Sequence, residues 1–100
     1  MTNLIVNPTE KLKGVVKAPP SKSYTIRAVI AGLLADVVSK ILDPLYSLDT
    51  KAAINVSKEL GAKITKKNWG LEICGTSGKI KTPKKILDTL NSGTTIRIAT

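Results

Sequence analysis

The chain has 100 residues, of which 42% are hydrophobic, and this composition suits one small domain with a modest aliphatic core. Its single cysteine, Cys74, excludes an internal disulfide bond, and the absence of histidine argues against a zinc site and an imidazole base. We therefore expect no metal, no cofactor and a reducing, cytoplasmic setting. The net charge of +9 points to an anionic partner.

The chain is predicted to start with two short strands and a helix. Leu4 to Val6 and Val15 to Lys17 have the apolar character of strands, and Pro19-Pro20 ends the second. A helix is predicted from about Lys22 to Ala35, because apolar residues recur there at helical spacing. These residues are Ile26, Val29, Ile30 and Leu33.

A strand and a second helix are predicted next. Val37 to Leu42 is apolar and β-branched, which favours a strand, and Pro44 ends it. Ser47 or Asp49 is expected to cap the following helix. Gly61 is expected to close that helix.

The rest of the chain is predicted to hold a hairpin and the start of a third helix. Ala62 to Thr65 and Leu71 to Cys74 are predicted to pair, and Ile80 and Ile86 to Leu90 are expected to be extended. The last helix begins near Gly93, and the sequence stops inside it without a C-cap, which indicates a fragment. The resulting β-α-β-α-β-β order predicts a layered α/β (α+β) fold with both helices packed on one sheet.

Two short segments share one arrangement that favours anion binding. Each places small polar residues before an apolar helical run, and each ends in Thr-Ile-Arg, at Arg27 and at Arg97. A helix N-terminus has unpaired N–H groups and a partial positive charge, so phosphates and carboxylates bind there. In the first segment Ser21 is the expected cap, and Lys22, Ser23 and Arg27 are placed to converge on one anionic group.

In the second segment Asn91 or Ser92 is the expected cap. Gly93 has no Cβ to block a ligand, and Arg97 lies four residues after it. Serine, asparagine and threonine are also the commonest helix caps in any protein, so either segment alone also fits an ordinary helix start. The repetition of the pattern favours joint anion recognition.

Many of the positive charges lie late in the chain, and two interpretations of them are open. A nucleic-acid partner would explain them, but Tyr24, Tyr46 and Trp69 are too few and too scattered to stack bases. Lysines also protect strand edges from pairing with other chains, and we interpret this group as a solvated face. Its members are Lys58, Lys63, Lys66, Lys67, Lys79, Lys81, Lys84 and Lys85.

The motifs resemble the opening of a known family, the 5-enolpyruvylshikimate-3-phosphate (EPSP) synthases. They are Pro19-Pro20-Ser21-Lys22-Ser23 followed by Arg27, then Ser47-x-Asp49-Thr50, then Asn91-Ser92-Gly93-Thr94-Thr95-x-Arg97. Their order and spacing fit along the whole chain. The resemblance implies two domains, each of three such units around a cleft. Residues 1–100 would be the first unit and the start of the next helix, and residues 1–18 would pack with the second domain.

The resemblance also implies roles for particular residues. Lys22 is expected to be catalytic and to contact both substrates. The residues expected at shikimate 3-phosphate are Lys22, Ser23 and Arg27. Those expected at phosphoenolpyruvate are Lys22, Asn91, Gly93 and Thr94. Arg97 and Asp49 are expected to support the site, and direct contact with a ligand is the alternative role for each.

The activity that the resemblance implies is transfer of the enolpyruvyl group of phosphoenolpyruvate to the 5-hydroxyl of shikimate 3-phosphate, in the synthesis of chorismate and the aromatic amino acids. The implied partners are these small anions, with neither nucleic acid nor membrane, and the full-length enzyme is expected to be a monomer. The family's principal acid and base residues lie beyond position 100. We therefore expect no turnover by the isolated chain.

Four departures from the family pattern leave alternatives open. Pro20, Ile26, Leu48 and Leu90 stand where the family favours other residues. They leave room for part of the related enzyme that transfers enolpyruvyl to a UDP-sugar. The positive charge leaves open a further alternative, a small basic nucleic-acid-binding module. The string Ser-Lys-Ser-x-x-x-Arg favours the shikimate enzyme.

Overall fold

The computed structural model describes residues 2–100, which form three helices and one three-stranded sheet. The helices are α1 (Lys22–Leu34), α2 (Leu48–Glu59) and α3 (Gly93–Ala99). The strands are β1 (Val38–Leu42), β2 (Lys63–Lys67) and β3 (Gly70–Cys74). The order along the chain is α1-β1-α2-β2-β3-α3, and this mixture of helices with an antiparallel sheet confirms the predicted α/β class.

Each helix begins after a serine whose side chain accepts a hydrogen bond from a backbone N–H of the first turn. The donors and acceptors are Tyr24 to Ser21 at 3.3 Å, Thr50 to Ser47 at 3.3 Å, and Thr95 to Ser92 at 3.2 Å. Such caps join residues three apart in the sequence, which is why the starts of the helices are predictable from local pattern. Ser47 and Ser92 are therefore the caps of α2 and α3, and Asp49 and Asn91 are not.

The central strand of the sheet is β3, which pairs antiparallel with β1 on one side and with β2 on the other. The register places Ile73 between Ser39 and Ile64, and it places Leu71 opposite Ile41. Alternate residues of a strand point to the same face, so these side chains form one mainly apolar face of the sheet. The helices cover this face.

The core lies between the sheet and the pair α1 and α2, which pack against each other. Helix α1 approaches β3 closely at Gly32, where an added Cβ would lie 3.0 Å from Ile73 Cδ1. The buried core within residues 2–100 is entirely aliphatic, as the low aromatic content predicts. It comprises Ile26, Val29, Leu33, Ala53, Val56, Leu60, Ala62, Leu71 and Ile73.

The two strands predicted near the start of the chain are absent from residues 2–20. Leu4 to Val6 and Val15 to Lys17 pair with no other strand, and their hydrophobic side chains are 77–101% exposed. A strand requires a neighbour for its N–H and C=O groups, and β1, β2 and β3 pair with one another instead. The prediction of these two strands is wrong because β propensity does not supply a partner.

The segment between β3 and α3 is irregular and lies outside the sheet. Ile80 and Ile86 to Leu90 form no strand, and Leu90 has a φ of +50° in the turn before α3. The N–H of Lys81 donates to the Leu60 carbonyl at 2.8 Å, and the N–H of Leu90 donates to Asp88 Oδ1 at 2.8 Å. Isolated loop and turn hydrogen bonds, rather than pairing with a strand, therefore hold this segment.

The eight late lysines lie on the surface, and all of them are exposed. Lys63, Lys66 and Lys67 belong to β2, which is an edge strand, where lysines hinder pairing with another chain. Among the helices that the structure describes, none is long and apolar enough to cross a membrane.

The capping box of α2 allows a test of how local contacts stabilise the fold. Ser47 Oγ accepts from the Thr50 N–H, and Thr50 Oγ1 accepts from the Ser47 N–H at 2.8 Å. Ser47→Ala removes the first of these bonds, and we expect it to lower the free energy of unfolding in urea by about 1 kcal/mol. Lys51→Ala changes an exposed residue of the same helix, and its expected effect is below about 0.5 kcal/mol. Equal effects of the two changes would contradict a stabilising cap.

Candidate anion-binding site

The first candidate site is the N-terminus of α1, where no acidic residue occupies the first turn. Ser21 caps the helix with an extended backbone, at φ −82° and ψ 129°. Thr25 Oγ1 donates to the Ser21 carbonyl at 2.7 Å and accepts from the Leu45 N–H at 3.1 Å. The buried Thr25 hydroxyl thereby fixes the start of α1 against the loop that leads into α2.

Three predicted ligands, which we call the α1 group, lie in the first two turns of α1: Lys22, Ser23 and Arg27. Ser23 is half-buried, whereas Lys22 and Arg27 are exposed. Ser23 and Arg27 are four residues apart, so they share one face of the helix. The first two turns of α1 therefore carry an ammonium, a hydroxyl and a guanidinium near a helix end that favours negative charge.

Lys22 makes an ion pair that the sequence analysis does not predict. Its Nζ lies 2.9 Å from Oδ2 of Asp49, a residue in the first turn of α2. The contact brings the starts of α1 and α2 side by side. The sequence gives only a weak signal of this ion pair, because predicting the pair requires knowing that α1 and α2 pack with their N-termini together.

The N-terminus of α2 differs from that of α1 because it already carries a negative charge. Asp49 lies in its first turn, and the reciprocal hydrogen bonds of Ser47 and Thr50 satisfy its end. A carboxylate at this position interacts favourably with the helix dipole. The α2 terminus therefore carries both a cap and a carboxylate, whereas the first turn of α1 carries a cap, Ser21, and no carboxylate of its own.

The second candidate site is the N-terminus of α3, which also has no acid in its first turn. The cap, Ser92, is buried, and its hydroxyl lies 2.7 Å from Thr95 Oγ1, which is buried too. The predicted ligands around this cap, with the predicted supporting arginine, form what we call the α3 group: Asn91, Gly93, Thr94 and Arg97. Asn91, Gly93 and Arg97 are exposed and Thr94 is half-buried, so the group faces outward around a buried cap.

Arg97 folds back toward the start of α3. A Cβ added at Gly93 would meet one near neighbour within 4 Å, the Arg97 Nη1 at 3.1 Å. The guanidinium therefore lies over the first residue of the helix, as the spacing of four predicts. Gly93 leaves the remaining space beside the helix end open.

The structure places the α1 group and the α3 group on two helices that pack against each other. No hydrogen bond or ion pair links one group to the other anywhere in residues 2–100. In the same part of the chain, the Lys22–Asp49 contact is the one ion pair that involves either group. The two groups therefore supply cations and N–H donors for anionic oxygens, without a carboxylate pair for proton transfer.

Fold and site together define a class of protein: a layered α/β unit in which basic side chains follow two helix N-termini whose first turns contain no acidic residue. One family model fits the chain over residues 6–100, and its description is EPSP synthase (3-phosphoshikimate 1-carboxyvinyltransferase). The chain belongs to the EPSP synthase family.

Several relatives named 3-phosphoshikimate 1-carboxyvinyltransferase are similar to nearly the whole chain. The protein of Methanobrevibacter smithii is 52% identical over 99 residues, which are 98% of this chain and 23% of the relative. That of Methanocaldococcus jannaschii is 50% identical over 97% of this chain and 23% of its own length. That of Methanococcus aeolicus is 46% identical over 97% of this chain and 23% of its own length. The chain thus spans about a quarter of the length of these relatives.

Proposed function

We propose that this chain forms part of the substrate site of an enolpyruvyl transferase that acts on phosphoenolpyruvate and shikimate 3-phosphate. Membership of the EPSP synthase family supports the proposal, and so do relatives named 3-phosphoshikimate 1-carboxyvinyltransferase. The observation that supports it in the structure is the α1 group, where Lys22 and Arg27 lie on a helix whose own first turn contains no acidic residue. The string Ser21-Lys22-Ser23 followed by Arg27 favours this function over transfer to a UDP-sugar.

Shikimate 3-phosphate is proposed to bind at the α1 group. Its phosphate would meet the Lys22 ammonium, the Ser23 hydroxyl and the Arg27 guanidinium, with the N–H groups of the first turn behind them. A guanidinium offers a planar pair of donors that matches two phosphate oxygens. The ammonium of Lys22 acts as a point charge with several donors.

Phosphoenolpyruvate is proposed to bind between Lys22 and the α3 group. The Asn91 side chain and the Thr94 hydroxyl would donate to its carboxylate or phosphate oxygens. Gly93 would let the ligand approach the backbone closely. Arg97 would keep this helix end positive, in a supporting role, because its guanidinium lies over Gly93.

The proposed reaction joins the 5-hydroxyl oxygen to C2 of phosphoenolpyruvate. In the addition step C3 gains a proton and the hydroxyl loses one, which gives a tetrahedral intermediate. In the elimination step phosphate leaves C2 and C3 gives up a proton, so that the enol ether forms. The residues of this chain would hold the phosphates and the carboxylate and stabilise their charge, with Lys22 at both substrates. Proton transfer needs an acid and a base that neither group supplies, so no turnover is expected from this chain alone.

A titration of the ¹⁵N-labelled chain with shikimate 3-phosphate tests the proposal. We expect amide shifts centred on Lys22, Ser23 and Arg27. Adding phosphoenolpyruvate to that complex is expected to shift Asn91, Gly93 and Thr94. A UDP-sugar is the comparison ligand, and a larger response to it at the same residues would favour the related transferase. No response to any of the three ligands would contradict an anion site on this chain.

The proposal extends to the other partners and the cellular location. We propose no nucleic-acid partner, because the aromatic rings do not share one surface. The Lys40 ammonium lies 5.7 Å from the centre of the Trp69 ring, and the Lys66 ammonium lies 4.3 Å from the centre of the Tyr46 ring. Lys40 and Lys66 project from opposite faces of the sheet. A base-stacking platform needs its rings on one surface. The single cysteine supports a cytoplasmic location.

Residues 1–18 are proposed to pack with a second domain. Their apolar side chains support this, because Leu4, Ile5 and Val6 are 88%, 84% and 77% exposed, and Val15 and Val16 are more exposed still. Contiguous exposed apolar residues in a soluble protein mark surfaces that another protein segment covers.

A further inference from the structure

The ion pair between Lys22 and Asp49 is the least exposed of the three ion pairs within residues 2–100. The Asp49 side chain is 21% exposed, compared with 33% for Glu59 and 60% for Asp43 in the other two pairs. Lysine is a long side chain with several rotatable bonds, whereas aspartate is short and is carried here by the rigid first turn of α2. The carboxylate is therefore the fixed partner, and the ammonium is the one that the contact holds in place.

Asp49 is not needed to cap its own helix. Ser47 and Thr50 form the capping box, and Asp49 follows the cap by two positions. Its remaining local role is a favourable interaction with the dipole of α2, which any acid in the first turn would supply. The contact with Lys22 across to α1 is the feature specific to this position and this length of side chain.

One carboxylate contact leaves Lys22 able to bind an anion. An ammonium has three N–H donors, and Asp49 Oδ2 at 2.9 Å engages one of them. The others remain for a ligand at the start of α1. Lys22 is half exposed, at 50% of its side-chain surface, so a ligand has access to them.

We infer that Asp49 is a positioning residue, whose carboxylate fixes the Lys22 ammonium at the mouth of α1 so that its free N–H donors meet the phosphate of shikimate 3-phosphate. This inference rests on the proposed function. It predicts an effect opposite to simple charge repulsion, because Asp49 is negative and its removal on electrostatic grounds alone would strengthen the binding of an anion. Because Asp49 orders the Lys22 side chain before the ligand binds, less conformational entropy is lost on binding.

The test compares the affinity of shikimate 3-phosphate for the chain and for Asp49→Ala, by amide shifts in NMR. We expect Asp49→Ala to weaken binding about two- to tenfold, which corresponds to ordering one long side chain on binding. Asp49→Asn keeps an oxygen that accepts from Lys22, and its loss is expected to be smaller. In the Lys22→Ala background, Asp49→Ala is expected to have no weakening effect, because the residue that it positions is gone.

Glu59→Ala is the matched control. It removes the carboxylate of the Glu59–Lys85 pair at the other end of α2, so it makes the same change in net charge. We expect it to leave the affinity unchanged or slightly higher. The motion of the Lys22 side chain gives a second readout that needs no ligand. Asp49→Ala is expected to lower the NMR order parameter of the Lys22 Cε methylene, whereas Glu59→Ala is expected to leave it unchanged.

Each outcome decides between the inference and the proposed function. If the unchanged chain binds at the α1 group and Asp49→Ala binds as well or better, the positioning role is wrong while the proposed function stands. Equal weakening by Asp49→Ala with and without Lys22 also overturns it, because the effect would then not pass through Lys22. If the unchanged chain shows no shift at Lys22, the proposed function fails, and the inference fails with it.

Discussion

Gly70→Ala is expected to disrupt the sheet and to leave the chain largely unfolded. Gly70 is the first residue of β3, it is buried, and it pairs with Leu42 of β1 and with Lys67 of β2. A Cβ at this position would overlap the backbone carbonyl oxygen of Ile41, and the φ of Gly70 is +148°. The obstacle is backbone within a paired strand, so no rotation of a side chain relieves it.

The expected loss is about 4 kcal/mol or more in the free energy of unfolding, against a typical total of about 5–15 kcal/mol for a natural domain. Circular dichroism would measure the loss of secondary structure, and the dispersion of amide signals in NMR would show whether the variant still folds. Gly14→Ala is the matched control, because Gly14 has a φ of +149° but nothing within 4 Å of its added Cβ. Its expected cost is about 1 kcal/mol or less. A folded Gly70→Ala variant with the stability of the control would show that β1 does not approach β3 as described.

The double change Lys22→Ala with Arg27→Ala is expected to abolish detectable binding of shikimate 3-phosphate. Each residue offers a charge-assisted hydrogen bond to the phosphate, worth about 1.5–3 kcal/mol. Losing both is expected to weaken binding at least about a hundredfold. The fold should survive, because both side chains are exposed and the core of α1 lies on its other face.

Lys79→Ala with Lys84→Ala is the control for the change in net charge. Both lysines are exposed in the segment between β3 and α3, and neither takes part in an ion pair of the described structure. Their removal is expected to change the affinity by less than about twofold at physiological salt, because exposed distant charges are screened. Similar losses in the two double variants, measured by the same NMR titration, would mean that general positive charge rather than the α1 group binds the ligand.

The helices and the hairpin were predictable because their determinants are local. The turn between β2 and β3 joins Lys67 to Gly70, and the helix caps act over three residues. The C-terminal end of α2 is also local, since Gly61 has a φ of +118° just beyond it. The strand order β1-β3-β2 was not predictable from local pattern. In this order β1 pairs with β3, and α2 and β2 separate these two strands in the sequence.

Part of the candidate site was predictable in the same way. The sequence places Lys22, Ser23 and Arg27 at a helix start, and it places Arg97 one turn from Gly93, where the guanidinium lies. These placements follow from the helical period and the caps. The resemblance then attaches substrates to them, and those assignments remain predictions.

The amino-acid sequence by itself determined the helix starts, the hairpin and the basic residues that follow two helix caps, since each depends on residues close together in the chain. It also determined that the core is aliphatic, because the chain contains few aromatic residues. Tertiary structure alone decided two other features. Residues 2–20 form no strand, because a strand depends on a partner that its own sequence does not specify. Asp49 faces Lys22, because the packing of α1 against α2 brings together two first turns that are distant in the chain.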